Sequence, residues 1–339
     1  MEKNDKGCGA VEHRQVQLNI LPVLDGDCIH LRFQSPDGWH NIIVDSGPEA
    51  AAETFLTLVQ AIWKRGEQVD LLCFTHIDDD HIKGAQVAME TDKFSGEGIK
   101  QIWINVPDND VRYRGLGYEA SRSIAAARNL TKSITKLRLP HHATVLAGKE
   151  LRIGDAVITA VLPMEKRMGP YYQKWDDYSS KRGIGIRKPS RDKSVTNGSS
   201  IGLLCRIGEH RILLAGDAFP NDLAEIGKLY AGEKGFSLVK LPHHGSDANT
   251  TPAMLTALKS RNFIISTEQT PKRPGVSAMK MLSDYGETVG GITVYGNYPW
   301  ERFAQGVAHV NIVVPQGTAV TEDGIEVYAD GKSQLIFAE

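Results

Sequence analysis

Phe74-Thr75-His76-Ile77-Asp78-Asp79-Asp80-His81 sets two imidazoles and three carboxylates within six positions, directly after the apolar run Val69 to Cys73. Hung on the end of a buried strand, that much charge is costly unless a cation neutralises it. The simpler alternative is an acidic turn capping the next helix, for which Asp79 or Asp80 would serve. Capping uses one carboxylate and no histidine, so the spacing predicts a metal site.

Three other segments carry candidate groups. The run Ile212 to Ala215 ends in Gly216-Asp217, which puts a carboxylate at the C-terminal edge of a strand or, alternatively, makes it the N-cap of a helix beginning after Pro220. In Val239-Lys240-Leu241-Pro242-His243-His244-Gly245-Ser246 two adjacent histidines end another strand beside a glycine-serine turn, a setting for metal ligation or acid/base work. Thr196-Asn197-Gly198-Ser199-Ser200 precedes the strand leading to Asp217 and on its own reads as a polar turn. A further pair, His141-His142, lacks the glycine-serine turn and is expected in an insertion loop.

The elements that would position these residues alternate along the chain. Val16–Leu21, Cys28–Phe33 and Asn41–Val44 predict an antiparallel meander, the last two joined at Ser35-Pro36-Asp37-Gly38. Phe55, Leu58, Val59 and Ile62 repeat at helical spacing within 49–64, ahead of the strand of the metal motif. A short helix follows His81, then a strand over 99–105 and a helix near 119–130. The second half predicts a strand pair at 201–207 and 211–215, helices at 221–230, after Pro252 and near 277–285, and strands at 238–241 and 263–266. Mixed sheets in both halves with helices outside predict a four-layer α/β sandwich, with the site between the sheets.

Composition bounds the function. The 339 residues are 41% hydrophobic and 24% charged, as in soluble globular proteins, and the net charge of −2 leaves a nucleic-acid role to a local patch. Cys8, Cys28, Cys73 and Cys205 are too scattered for a disulfide framework and suit a reducing compartment. With no apolar signal core at the N-terminus and no membrane span, a cytoplasmic location without membrane association is expected.

Taken in order, these motifs resemble the metallo-β-lactamase fold, an αββα sandwich, and within it the branch that includes the hydrolase domain of ComEC-type DNA-uptake competence proteins. The signature comprises Thr-His-x-Asp-x-Asp-His at 75–81, Gly216-Asp217 and Leu241-Pro242-His243-His244-Gly245-Ser246. Leu24-Asp25-Gly26-Asp27-Cys28-Ile29 and Ile43-Val44-Asp45-Ser46-Gly47 resemble that branch's opening strands. The resemblance spans about 15 to 290 within one domain over 1–339, with insertions at about 106–150 and 165–195, and strands after about 290 completing or extending the second sheet.

By that resemblance His76 and Asp78 bind one of two divalent ions, zinc or manganese, and Asp80, His81 and one of the tandem histidines, His244 by preference, bind the other. Asp217 bridges them, and two cations so held polarise a phosphoryl or acyl oxygen and activate water. Asp80 and His243 are the expected catalytic groups, His243 facing substrate. Asn197 stands about twenty residues before Asp217, where many members of the fold have histidine, and with Asp78 it makes the first ion's shell rich in oxygen, favouring a harder ion. Lys83 stands where the branch commonly has glycine, and Lys272-Arg273-Pro274 where it often has His-Pro; with Ser246, they are candidate substrate contacts. Between Gly169 and Lys193, seven basic residues interleave with Tyr171, Tyr172 and Trp175, a composition suited to phosphates and stacked bases, or to a solvated loop. A phosphodiesterase or nuclease acting on nucleic acid or nucleotide is therefore expected. The alternatives are a small-ester or lactone hydrolase and a non-catalytic binding module.

Overall fold

The computed structural model describes residues 15–106, 122–180 and 194–329. Its first sheet begins with the expected meander, β1 (Val16–Ile20), β2 (Ile29–Ser35) and β3 (Gly38–Val44), paired antiparallel. From β3 the sheet turns parallel through β4 (Val69–Cys73), β5 (Ile102–Trp103) and β6 (His141–His142). Between these strands run α1 (Ala52–Lys64), α2 (Asp79–Ala88) and α3 (Arg122–Lys136). His141 and His142 form an exposed edge strand rather than the expected loop, because Ile102 and Trp103 offer them a free ladder.

The second sheet begins with β7 (Glu150–Ile153) and β8 (Ala156–Leu162), continues past α4 (Glu165–Ser180) and the short α5 (Val195–Gly198), and adds β9 (Gly202–Ile207) and β10 (His210–Leu214). Parallel strands β11 (Leu238–Lys240), β12 (Asn262–Ile265), β13 (Ile292–Gly296) and β14 (Val310–Val313) complete it, alternating with α6 (Pro220–Tyr230), α7 (Pro252–Leu258) and α8 (Val276–Val289). The strands after residue 290 divide between the sheets. β13 and β14 extend the second, whereas β15 (Ala319–Val320) and β16 (Glu326–Tyr328) join the first, β16 lying parallel to β1. Pairing over some three hundred positions leaves no local pattern to read.

Strand alternation creates the four layers. Ile43 and Leu72 turn outward to a core with Phe55, Val59 and Ile62 of α1, while Ile42, Val44, Leu71 and Cys73 turn inward. In the second sheet Ile212, Leu214, Leu238 and Ile264 meet them in the core between the sheets, and Leu213, Val239, Phe263 and Ile265 pack outward against α6, α7 and α8. These strands are apolar on both faces because both faces are covered. Each such fully buried Leu or Ile contributes about 1.5–3 kcal/mol. Cys28, Cys73 and Cys205 are buried free thiols, and burial pushes that of Cys205 up to about 12. No helix among the described residues is long and apolar enough to cross a membrane.

Candidate metal centre

Parallel strands present their C-terminal ends on one edge, and there both sheets release their polar residues: Asp45 after β3, Thr75 and His76 after β4, Asp217 after β10, His243 and His244 after β11, and Ser266 after β12. Asp80 and His81 lie in the first turn of α2. Asp78 is the N-cap of that helix, yet its side chain makes no capping bond; its oxygens instead accept the hydroxyls of Ser123 (2.9 Å) and Thr196 (3.3 Å). Phe219, not Asp217, is the N-cap of α6, so the capping alternatives fall for both motifs.

The backbone is bent to hold this arrangement. His243 and His244 both take left-handed conformations, with φ of 51° and 55°. Such strain is sparsely tolerated and concentrates at functional sites. Gly216 has φ +55°, and a Cβ there would press on Thr75 from the facing sheet. The loop after β3 is sewn to α2: Ser46 N–H and Oγ both donate to the His81 carbonyl, and Gly84 N–H donates to that of Gly47.

Hydrogen bonds set which nitrogen of each ring carries the proton. His81 Nδ1 donates to the Asp45 carboxylate (2.8 Å), and His244 Nδ1 to the Ser266 carbonyl (2.8 Å). Thr75 gives its hydroxyl proton to Asp45, so its oxygen accepts from His76 Nδ1 (3.0 Å). Asn249 turns its amide nitrogen to the Ala218 carbonyl, leaving its oxygen for His243 Nδ1 (2.9 Å). Every Nε2 lone pair is thereby aimed at one place. Around Asp217 Oδ1 stand His81 Nε2 at 3.6 Å and His244 Nε2 at 3.9 Å; around Asp217 Oδ2 stand His243 Nε2 at 3.7 Å and His76 Nε2 at 3.8 Å. Asp80 joins the first group, 3.4 Å from His244 Nε2 and 3.9 Å from His81 Nε2, and Asp78 the second, 3.7 Å from His76 Nε2.

These separations are too long for hydrogen bonds. They approach the roughly 3.4 Å between neighbouring ligands on a tetrahedral ion with bonds of about 2.1 Å. Nε2 of His76, His81 and His244 and Oδ1 of Asp217 are buried with no hydrogen-bond partner. Four such atoms facing one another would cost about 1–3 kcal/mol each if nothing satisfied them. The donor set fits divalent cations, with Asp217 offering one oxygen to each group.

The electrostatics agree. Burial disfavours the ionised carboxylate of Asp217, but His243, His81 and His244 outweigh it and hold its pKa well below the usual range. Burial likewise works against Asp80, and His81 and His244 lower it regardless. For His81 burial opposes the charged ring, yet Asp217, Asp45 and Asp80 raise its pKa well above 6.5; His244 is raised by Asp27 and Asp217 against burial. His76 goes the other way, lowered by burial and by His81.

Three contributors were not among the residues expected from sequence. Asp45 orients both His81 and Thr75. Asp27, with His81, Asp217 and His244, forms a buried group whose ligand atoms lie within 4.8 Å of one another. Asp27 approaches the Nδ1 sides of His244 (3.4 Å) and His81 (3.8 Å), however, and so buttresses rings whose Nε2 atoms face Asp80 and Asp217. Its Oδ2, the oxygen nearer His81, bonds Lys240, a fully buried lysine that also donates to the Gly216 carbonyl and lies 3.7 Å from Asp217 Oδ1. Asp27 and Asp45 both lie in the two opening motifs quoted above, which were the available signal.

The remaining expected residues are dispersed. Asn197 is buried on α5 beside Thr196, the residue that reaches Asp78. Lys83 ion-pairs with Glu49 (3.6 Å). Ser246 accepts from Ala248 N–H within its own turn, and Lys272 is exposed. Arg273 does reach the cluster, bonding His243 Nε2 and standing 3.8 Å from Asp80. In the basic segment, Tyr171 is no stacking platform: it is buried, its hydroxyl donating to the Asn105 carbonyl. The basic residues from Lys181 to Lys193 lie outside the described residues.

Residues 33–267 match the family model described as Metallo-beta-lactamase superfamily. No curated protein matches the chain. Similar solved structures include CmlA, a diiron β-hydroxylase from Streptomyces venezuelae, at 15% identity and TM-score 0.45, covering 82% of this chain and 52% of that one. YhfI from Bacillus subtilis, a metallo-β-lactamase fold protein, is 13% identical at TM-score 0.39, with 88% and 96% covered. A diphosphatase from the PhnP family is 12% identical at TM-score 0.38, with 84% and 80% covered. The chain spans about half the length of CmlA, and likenesses this distant carry nothing about substrate.

Proposed function

This chain belongs to the metallo-beta-lactamase superfamily, largely metal-dependent hydrolases, and we propose that it is a dinuclear phosphodiesterase or nuclease acting on nucleic acid or a nucleotide. The observation that carries this reading is the convergence of imidazole Nε2 lone pairs on the two separate oxygens of Asp217. In it, His76, Asp78 and Asp217 would hold one cation, and Asp80, His81, His244 and Asp217 the other. When bound, divalent cations there polarise a phosphoryl oxygen and supply an activated water at neutral pH. The oxygen donors favour manganese beside zinc.

His243 is the more exposed of the tandem pair, with 20% of its side chain open against 0% for His244, and so takes the substrate-facing role. Its Nε2 lone pair accepts a proton while Asn249 holds the ring. Asp80, also at the mouth, serves ligation and proton transfer together. Basic groups at the cluster, Arg273 at its rim and Lys240 beneath, speak for an anionic substrate and against a neutral ester or lactone. The motif order supports the finer placement beside the ComEC hydrolase domain, and the buried free thiols suit a cytoplasmic setting.

Metal analysis joined to a cleavage screen with Mn²⁺ and Zn²⁺ on single-stranded, double-stranded and cyclic substrates tests the proposal. About two ions per chain and cleavage abolished in Asp217→Ala are expected. Intact nucleic acids and cyclic nucleotides after incubation with loaded protein would overturn it, and metal well below one ion per chain would indicate a binding module.

A further inference from the structure

The walls of the centre differ from its floor. Side chains of His76, His81, His244 and Asp217 are 0–3% exposed, whereas Asp78, Asp80, His243 and Arg273 are 20–29% exposed. Among the described residues of the cluster these four form its open side, and two of them are carboxylates. Arg273 spans the opening: one terminal nitrogen bonds His243 Nε2 and the other stands 3.8 Å from Asp80 Oδ2, so the guanidinium bridges the Asp217 Oδ2 group and the Oδ1 group.

This position is built rather than incidental. Arg273 N–H donates to Thr270 Oγ1 (3.0 Å) and its carbonyl accepts from Thr270 N–H (2.8 Å), closing the loop on itself. Arg302 clamps the same loop through the carbonyls of Thr270 (2.9 Å) and Pro274 (3.3 Å). Gly275 N–H then bonds the Gly245 carbonyl (2.9 Å), tying the loop directly to the turn that carries His243 and His244. Arg273 and the histidines therefore move as one unit. A planar fork with five donors, preorganised over a cation-binding cluster, matches the two anionic non-bridging oxygens of a phosphoryl group, a pair that a neutral ester lacks.

We propose that Arg273 is the anion-binding arm of this centre, exchanging its bond to His243 for non-bridging phosphoryl oxygens of the ligand and so selecting phosphoesters over neutral esters. This rests on the metallohydrolase reading for the cations beneath but not on any particular phosphodiester being the substrate.

Calorimetric titration of inorganic phosphate into metal-loaded wild type, Arg273→Met and Arg273→Lys, at matched measured metal content, tests it. Loss of a charge-assisted fork is expected to weaken phosphate by about 10- to 100-fold in Arg273→Met. Arg273→Lys is expected to fall between, and guanidinium chloride to restore part of the loss in Arg273→Met. In parallel, the ratio of kcat/KM for bis(p-nitrophenyl) phosphate to that for p-nitrophenyl acetate should fall in Arg273→Met. Equal phosphate affinity in wild type and Arg273→Met, or no phosphate binding by loaded wild type, would overturn the inference. Phosphate binding that depends on Arg273 without cleavage of any phosphodiester would sustain it and refute the proposed activity instead.

Discussion

Metal removal should reverse the pH dependence of stability. With chelator present, His81 and His244 bind protons in the folded protein at pH values where the unfolded chain has released them, because Asp217, Asp45, Asp80 and Asp27 raise both against the opposing cost of burial. A group with a raised folded pKa contributes stability in full below its unfolded value, near 6.5, and loses it as pH climbs. Each proton is worth about 1.4 kcal/mol per pH unit, so two protons from pH 6.5 to 8 remove at most about 4 kcal/mol. At a urea slope of about 3 kcal/mol/M that moves the midpoint down by roughly 1 M. His76, lowered by burial, contributes in the opposite sense but only below 6.5. The lowered carboxylates of Asp27, Asp80 and Asp217 are ionised in both states across this window. With Zn²⁺ or Mn²⁺ bound, the Nε2 atoms are unavailable to protons, and stability should instead fall on acidification below 6.5. Urea titrations at pH 6, 7 and 8, with chelator and with metal, measure both slopes. Parallel curves in the two conditions would refute the assignment of these nitrogens to the metal set.

Four substitutions extend the same reasoning. Asp45→Asn keeps the shape but weakens the acceptor that orients His81, and metal affinity by competitive chelation should drop about 10- to 100-fold. Lys240→Met takes from the buried Asp27 the cation it bonds, at a cost of about 3–5 kcal/mol in chemical denaturation. Adding Asp27→Asn should return most of that loss, and an unrepaired double variant would mean packing rather than charge is at stake. In Gly26→Ala the new Cβ would fall on the Asp80 carbonyl oxygen and close against Pro48. Overpacking of this kind costs about 1–3 kcal/mol and should lower both thermal stability and metal content, since Asp80 must shift; unchanged metal content would separate the loop from the site.

Much of the centre was legible because its chemistry is concentrated. His76, Asp78, Asp80 and His81 fall within six positions after an apolar run, and Asp217 and His244 each follow a strand that announces itself by composition. The supporting residues were marked less clearly. Asp27 and Asp45 lie in the two opening motifs but in no cluster of ligand-type residues, and Lys240 is a single charge in an apolar strand. It is buried because β11 is central to its sheet and its ammonium ends among Asp27, Asp217 and the Gly216 carbonyl. Lys83 and Arg273 were equal candidates as cations near the motifs. Lys83 pairs with Glu49, whereas a loop braced by Arg302 carried Arg273 over the cluster.

By itself the sequence determined the layered α/β architecture, through apolar runs with periods of two and 3.6, and the presence of a metal-suited cluster, through residue types whose charges cannot otherwise be buried. Only the tertiary structure decided how those donors divide. Two strand edges from different sheets had to meet before Asp217 could turn one oxygen to each group, and bonds at every Nδ1 had to form before the Nε2 lone pairs pointed inward. Such orientation depends on contacts between residues as far apart as Gly26 and Ser266, which local pattern does not encode.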